Sequence, residues 1–422
     1  MNKIKSLVEQ LKTRKILILG FGKEGQSSYR WLRKQFPDKE LLIADRNEKI
    51  ETLIEDGKVR FFTGPRYLDA LADDVLVFKS PGIVVDHLSE NITSQTDKFL
   101  ELYGKQTIGV TGTKGKSTTA SLIYHLLKKS GKKAVLLGNI GVPAFDRLDE
   151  IDQDTVVVYE LSAHQLQIVH HSPGVAVLLN IYPEHLDHFG SFELYRQAKW
   201  NINLYQDAND HLMIPEELNK EVENRKPFVQ FFSVPPKPYV SSLLGVHNQK
   251  NMDAALKAVS CFGVRPEEAI PFLSDFQPLP HRLEYVGTYQ GVHFYNDSIA
   301  TVPEAVIEAV KTVERVHTLI LGGFDRGLDY AELLCFVRDH PHIRRVIFTG
   351  EAGKVMFKMI KTQPDQGKRY FLAEDMKSVF EIIKREVDSG ETVLLSPAAA
   401  SYDRYHNFEH RGNIFKEFVK SF

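Results

Sequence analysis

At 422 residues the chain exceeds what one hydrophobic core accommodates, because single cores stop growing at about 250 to 300 residues, and two or three domains are expected. Apolar residues at 43% and charged residues at 26% exclude a disordered or fibrous chain. A net charge of -2 excludes a general field drawing the protein to nucleic acid or an anionic membrane, so an anionic ligand must be held by local groups. No apolar run approaches the roughly 20 residues that cross a bilayer, and Met1, Asn2 and Lys3 open no apolar signal region, so the cytoplasm is the expected compartment. Cys261 and Cys335 lie in helix-like segments with no CxxC or Cys/His spacing and read as buried thiols without a disulfide.

Short aliphatic or β-branched runs alternate with amphipathic stretches along the chain, the pattern of parallel βαβ units, and predict an α/β protein. The first run, 15–19, leads into Gly20-Phe21-Gly22-Lys23-Glu24-Gly25 and a helical pattern through Lys34. The second, 40–44, ends at Asp45, and the third, 74–79, ends in Ser80-Pro81-Gly82. The pattern then weakens through a polar stretch at 91–97, where a first boundary is expected. A new series runs at 107–110, 134–137, 155–159 and 174–179, and its last helices end before Pro278-Leu279-Pro280, a rigid, turn-rich connector. Pro235-Pro236-Lys237-Pro238 reads as an extended surface link. Runs at 293–295, 317–321, 345–348, 370–373 and 392–395 fill the remainder. The expected domains are 1–93, Rossmann-like; 94–278, a central P-loop mononucleotide-binding parallel sheet; and 279–422, again Rossmann-like.

The strongest chemical signal is the segment from Gly109 through Gly112-Thr113-Lys114-Gly115-Lys116-Ser117-Thr118, which follows an apolar strand and opens a helix. Glycines let backbone N–H groups curl round phosphate oxygens, and the helix N-terminus adds partial positive charge. Lys116 adds a full charge, and the Ser117 hydroxyl can reach a magnesium ion. A standard P-loop would have glycine where Val110 stands, so the match is a variant. Ligands of an open parallel sheet gather at the carboxyl ends of its strands, and here those ends are polar: Gly138-Asn139, Glu160-Leu161-Ser162, and Asn180 through Glu184-His185. Ser117, Glu160 and His185 are therefore expected to converge on one magnesium-bound triphosphate, with the imidazole the less usual magnesium ligand. Gly20-Phe21-Gly22-Lys23-Glu24-Gly25 with Asp45 fits a dinucleotide fingerprint, and read by itself it leaves NAD and UDP both open.

In combination, GTKGKST, ELSAHQL, NIYPEHLDHF, YRQAK, GVHNQKN, LPHRLEYV, YNDSIAT, LGGFDRG and LSPAAASYDRYHNFEHRG make essentially the whole chain resemble the Mur ligases of bacterial cell-wall synthesis. The resemblance implies an ATP-dependent enzyme of peptidoglycan precursor synthesis. It would add D-glutamate to UDP-N-acetylmuramoyl-L-alanine through an acyl phosphate, with two magnesium sites and as a monomer. It assigns Lys116 and Ser117 to the nucleotide phosphates and the first metal, Glu160 to both metals, His185 to the second, and Lys199 to a metal-binding carbamate. A carbamate suits that place because an ammonium cannot bind magnesium, whereas two anionic oxygens can.

The same resemblance gives Asn248 and Asn251 to the adenine, and Arg282 and Asp297 to closure over the nucleotide, a domain motion that would couple binding to catalysis. Thr301, Arg326, Ser401 and Phe408 fall to the D-glutamate carboxylates. Gly20, Phe21, Gly22, Lys23, Glu24, Asp45 and Arg46 fall to UDP, and Ser80, Pro81, Gly82, Asn139 and His185 to the path toward the muramoyl group. The chain reads Asp297-Ser298-Ile299-Ala300-Thr301 where DSKAT is usual, so a lysine beside the acceptor is missing and Arg326 carries more of the recognition. A superfamily ligase acting on another amino acid such as L-glutamate, or on a folate, a non-catalytic nucleotide-binding regulator, and a nicotinamide-dependent oxidoreductase are the alternatives.

Overall fold

In the computed structural model, residues 2–85, 89–139, 142–222, 226–277, 279–313, 315–362 and 367–422 are described. Pro278 of the connector lies outside them. The chain divides into two compact units, one of residues 1–241 and 246–276, the other of residues 242–245 and 277–422.

The first unit opens with α1 (Asn2–Lys12), β1 (Lys15–Leu19), α2 (Lys23–Gln35), β2 (Leu41–Asp45), β3 (Val59–Thr63), β4 (Val75–Lys79) and β5 (Ile92–Thr93). The five strands form a parallel sheet in the order β3-β2-β1-β4-β5. From β1 the chain winds first to one side and later to the other. That reversal leaves a crevice beyond the carboxyl ends of β1 and β4.

After α3 (Gln95–Tyr103) come β6 (Thr107–Thr111), α4 (Lys116–Lys129), β7 (Ala134–Gly138), β8 (Val156–Glu160), α5 (Ala163–Leu166), β9 (Val175–Leu178), α6 (Leu186–Phe189), α7 (Phe192–Trp200), β10 (His211–Pro215), β11 (Phe228–Phe232), α8 (Val246–Ser260) and α9 (Pro266–Ala269). These six strands are parallel in the order β11-β10-β9-β6-β8-β7. Strands β6, β8 and β9 are buried at every position, which is why they read as continuous apolar runs.

The two sheets share one hydrophobic core. Trp31 of α2 lies 4.8 Å, ring to ring, from Phe145, which also meets Phe78 of β4. Each such side chain contributes about 1.5–3 kcal/mol on leaving water. The polar stretch at 91–97 differs from an exposed linker, because Thr93 through Asp97 are all buried. Ser94 caps α3 by accepting from the Asp97 N–H, Gln95 donates to Ser28, and Thr96 bonds Tyr159. With Thr93 donating to Asp97, the polar side chains of the stretch have partners, which is the condition for burying them.

The second unit holds β12 (Glu284–Tyr289), β13 (Val292–Asn296), α10 (Pro303–Thr312), β14 (Val316–Gly322), α11 (Ala331–Asp339), β15 (Arg345–Thr349), α12 (Gly350–Lys361), β16 (Arg369–Ala373), α13 (Met376–Glu386), β17 (Thr392–Leu395) and α14 (Phe408–Lys420). Its sheet runs β12-β13-β17-β14-β15-β16, with β12 antiparallel on the edge and the rest parallel. The α/β class with three sheets agrees with the sequence. Strands β3, β5, β10, β11 and β12 have no counterpart among the runs read there. Both cysteines are free, but each is half-buried rather than fully buried as expected. Among the described residues no helix is long and apolar enough to cross a membrane.

Candidate active site

Strand β6 ends at Thr111, and the loop that follows turns at Gly112 (φ +155°) and Gly115 (φ +86°) before α4 starts at Lys116. A Cβ on Gly112 would lie 2.9 Å from Leu179, and one on Gly115 would lie 3.1 Å from the Asn251 amide while demanding left-handed backbone. The loop is clamped against the end of β9. The Thr113 N–H donates to the Asn180 carbonyl, the Lys114 N–H to Asn180 Oδ1, and the Thr113 hydroxyl bonds Tyr195 at 3.1 Å. Lys114 pairs with Glu184 at 2.7 Å.

Two lysines converge inside this loop. The Lys116 ammonium donates to the carbonyls of Gly112 and Thr113, both at 2.9 Å, and Lys199 of α7 donates to the same Gly112 carbonyl at 2.8 Å. Lys199 is only 1% exposed, and its Nζ stands 4.7 Å from the centre of the Tyr195 ring. Burial, followed by the nearby Lys116 charge, lowers the Lys199 amine to about 7. Sequence position alone would make it an ordinary helix lysine. Its depth and depressed basicity instead leave a large share of the amine neutral, and so nucleophilic, near neutral pH, the form that condenses with carbon dioxide.

On the neighbouring strand Glu160 pairs in register with Val110 and is fully buried. Its Oε1 accepts from Asn139 at 2.7 Å, while Oε2 is buried with no partner. A bare carboxylate oxygen is costly unless something arrives to use it. A carboxylate oxygen of this kind suits an oxygen-seeking divalent cation. His185 sits in left-handed backbone at φ +56°, an uncommon conformation for a non-glycine residue. Its ring meets that of His164 edge to face, centres 4.9 Å apart, and His164 also meets His188 at 4.2 Å. Burial and those two imidazoles lower His164 to about 4, so it is neutral at neutral pH. Among the described residues no three His, Cys, Asp or Glu side chains form a ready metal cluster; the expected set draws on Ser117 and Lys199 besides Glu160 and His185. Asn248 and Asn251 are buried on α8 beside the loop, with the Asn251 amide donating to Asn248 at 3.0 Å.

The first glycine loop has a different lining. Gly20 (φ +89°) ends β1, and Gly25 is packed so closely that a Cβ would meet the Gly20 carbonyl at 2.1 Å. Asp45 Oδ2 accepts from the Phe21 N–H at 2.6 Å, Oδ1 from the Asn47 N–H, and Ser80 Oγ donates to the Gly20 carbonyl at 2.7 Å. Lys23 and Arg46 are exposed. Glu24 accepts from Gln165 of α5 at 2.5 Å, and burial raises its carboxyl to about 7 against that bond.

In the second unit, Arg326 donates to the Thr301 carbonyl at 2.7 Å, and a β-bridge between Phe324 and Ala400 brings the loop after β14 beside Ser401. Arg411 of α14 is buried and ties the loops after β13 and β17 together with bonds to Ser298, Ala399 and Ala400. Asp297 is buried, accepting from the Leu283 N–H and the Ser396 hydroxyl, and burial raises it to about 7. Arg282 Nε is buried with no partner. Phe408 opens α14. The sequence left Lys79, His164, Gln165 and Tyr195 without a role. The last three lie inside the quoted motifs, which was the available signal.

A strand, a glycine turn carrying Lys-Ser-Thr and a helix beside a buried carboxylate define an α/β protein of the P-loop, phosphate-binding class. Residues 110–235 match the family described as Mur ligase middle domain, and residues 281–399 match Mur ligase, glutamate ligase domain. The chain is 31% identical over its whole length to UDP-N-acetylmuramoylalanine–D-glutamate ligase of Ruminiclostridium cellulolyticum, covering 99% of that protein. It is 31% identical to the enzyme of the same name from Desulfitobacterium hafniense, over 97% of this chain and 98% of that one. In fold it is similar to the MurF ligase of Thermotoga maritima in complex with ADP, with a TM-score of 0.59, 18% identity and coverage of 97% and 99%. The MurC ligase of the same organism gives a TM-score of 0.57 at 20% identity, covering 96% and 99%. The chain belongs to the Mur ligase family and is an enzyme of it.

Proposed function

We propose that the protein joins D-glutamate to UDP-N-acetylmuramoyl-L-alanine, converting ATP to ADP and phosphate. The observation that carries this reading is the convergence of Lys116 and Lys199 on one carbonyl of the glycine loop, next to the strand whose last residue, Glu160, has an unpartnered oxygen. Relatives 31% identical over nearly the full chain bear the corresponding name. A carboxylate lacks a leaving group, and ATP provides one. The alanyl carboxylate oxygen attacks the γ-phosphorus, the bond to ADP breaks, and an acyl phosphate forms. Lys116 neutralises charge on the transferring group. The neutral amine of the acceptor then attacks the acyl carbon, and phosphate departs.

Glu160, His185, Ser117 and a carbamylated Lys199 are the residues that would hold magnesium, which when bound supplies charge neutralisation to the phosphates. Asn248, Asn251, Arg282 and Asp297 are read as ATP contacts. The first glycine loop, Asp45, Arg46, Ser80, Pro81, Gly82 and Asn139 are read as the nucleotide-sugar site. Thr301, Arg326, Ser401 and Phe408 hold the acceptor carboxylates. ATP and a nucleotide sugar as substrates imply a cytoplasmic reaction, for which a monomer suffices. Ile299, in place of the usual lysine, is the basis of a second reading in which the acceptor is another amino acid, for example L-glutamate.

Mass spectrometry of products from ATP, UDP-N-acetylmuramoyl-L-alanine and a panel of D- and L-amino acids tests both. Addition of D-glutamate with one ADP per product is expected. Exclusive use of L-glutamate would select the second reading, and no amide product with any amino acid would overturn both.

A further inference from the structure

Lys79 is the last residue of β4, paired in register with Leu19 and so level with the start of the first glycine loop. It stands at the reversal point of the strand order, where the crevice opens between the ends of β1 and β4. Its side chain is 2% exposed, yet its ammonium makes a single long hydrogen bond, 3.4 Å to the Ser80 carbonyl. An ammonium carries three donors, so two have no acceptor among the described residues. Glu24 and Lys79 line the same tight seam with Ser28, Phe78, Ser80 and Gln95, and the Glu24 charge acts on Lys79 across it, but among the described residues no carboxylate forms an ion pair with the ammonium. Glu24 is committed to Gln165 through Oε1, and its Oε2 is unpartnered.

A buried cation so poorly matched is costly by itself, and the same burial makes its attraction for an arriving anion strong. Two features of the surroundings favour an anion. The 13-residue helix α2 begins here at Lys23, aiming its first N–H groups into the crevice. The Gly20 carbonyl is taken by the Ser80 hydroxyl, so the Ser80 carbonyl, at 3.4 Å, is the one backbone oxygen that reaches the ammonium among the described residues.

We propose that Lys79 is a substrate-binding residue, using its four-carbon stem to reach an anionic oxygen of the nucleotide-sugar acid bound at the first glycine loop. The inference rests on the nucleotide-sugar reading of that loop and adds a ligand that the glycine fingerprint does not contain. The oxygen belongs either to the diphosphate or to the alanyl carboxylate, and the two sources can be told apart.

The test is calorimetric titration of the full-length protein and of Lys79→Met and Lys79→Arg with UDP, with UDP-N-acetylmuramoyl-L-alanine and with ATP, after thermal melts show each variant folded. Lys79→Met is expected to weaken the nucleotide-sugar acid at least tenfold, with Lys79→Arg recovering most of the loss and ATP affinity unchanged in both. Equal loss for UDP assigns the contact to the diphosphate; UDP unaffected assigns it to the carboxylate. Wild-type affinity of Lys79→Met for both ligands, or an equal loss for ATP, overturns the inference and leaves the function intact. Failure of the wild-type protein itself to bind either uridine ligand would instead remove the nucleotide-sugar reading, and the inference with it. A Lys79→Met variant that does not fold is replaced by Lys79→Gln, to which the same criteria apply.

Discussion

The first unit contains two strand–glycine–helix turns that share a backbone design and differ in charge. At the second, Lys114, Lys116 and Lys199 gather round Gly112 and its neighbours, and two of the ammonium groups share one carbonyl. At the first, the loop N–H of Phe21 is already engaged by Asp45, and Glu24 lies in the first turn of the helix. A triphosphate carries more negative charge than a diphosphate and needs cations at the reacting end, whereas a nucleotide held for orientation needs hydrogen-bond acceptors for its sugar or base as much as donors for its phosphates. On the proposed reading the backbone makes a phosphate seat in either place, and the side chains decide whether that seat does chemistry or holds a handle.

The largest expected effect breaks the comparison at its charged end. Lys116→Ala should lower ligation by about 10²–10³ or more, the cost of removing a group that stabilises transition-state charge, and ADP release should fall with it. Acceptor-dependent phosphate release and product formation, measured on one preparation, check this; normal ligation would sink the assignment. Next in size is Gly115→Ala. Left-handed backbone costs an alanine about 1–2 kcal/mol, and its Cβ would press on Asn251, so ATP should bind roughly 5- to 30-fold more weakly by titration while UDP affinity stays unchanged.

Both turns are legible in the sequence because each is local: an apolar run, glycines at fixed offsets, then helical periodicity within some 15 residues. The strand-end residues Asn139, Glu160 and Asn180 are legible for the same reason, once the runs are taken as parallel strands. What escapes is non-local or only partly apolar. Strand β3 is half-exposed along Val59–Thr63 and has no clean period, and β12 is an antiparallel edge with a bulge. The polar stretch at 91–97 imitates a linker because its partners, Ser28, Tyr159, His170 and His171, come from distant parts of the chain. Likewise nothing in the spacing of Glu24 and Gln165, 141 residues apart, announces their bond. The depth of Lys199 is a product of packing, and no composition rule separates it from the solvated lysines of other helices.

The first turn can be tested with its two carboxylates. Asp45→Asn keeps an oxygen for the Phe21 N–H but loses the charge that strengthens the bond, so the KM for the nucleotide sugar should rise up to about tenfold, with the KM for ATP constant. Glu24→Gln is a stability experiment. The folded carboxyl titrates near 7 because of burial and the unfolded one near 4.5, so the folded protein binds more protons between those values. The wild type therefore has this contribution in full below pH 4.5 and loses it as pH rises to about 7. Relative to Glu24→Gln it should lose on the order of 1 kcal/mol across that window, read from urea midpoints at several pH values. A flat difference would mean that the carboxyl is ionised throughout and that its bond to Gln165 offsets the desolvation.

The smallest expected effect separates folding from binding at the first turn. Gly22 precedes α2 with φ −71° and ψ −164°, extended backbone open to any residue, and a Cβ there would meet no atom within 4 Å. Folding does not require glycine at this position, in contrast to Gly20 and Gly25. Gly22→Ala should therefore cost about 0.5 kcal/mol at most, the modest loss of a favourable helix cap. If the loop backbone lies against a diphosphate, the added methyl group occupies the space the phosphate oxygens need, and nucleotide-sugar affinity should fall several-fold with stability nearly unchanged. If both quantities stay at wild-type values, the loop is a helix cap with no ligand over it, and the likeness of the two turns is one of backbone geometry alone.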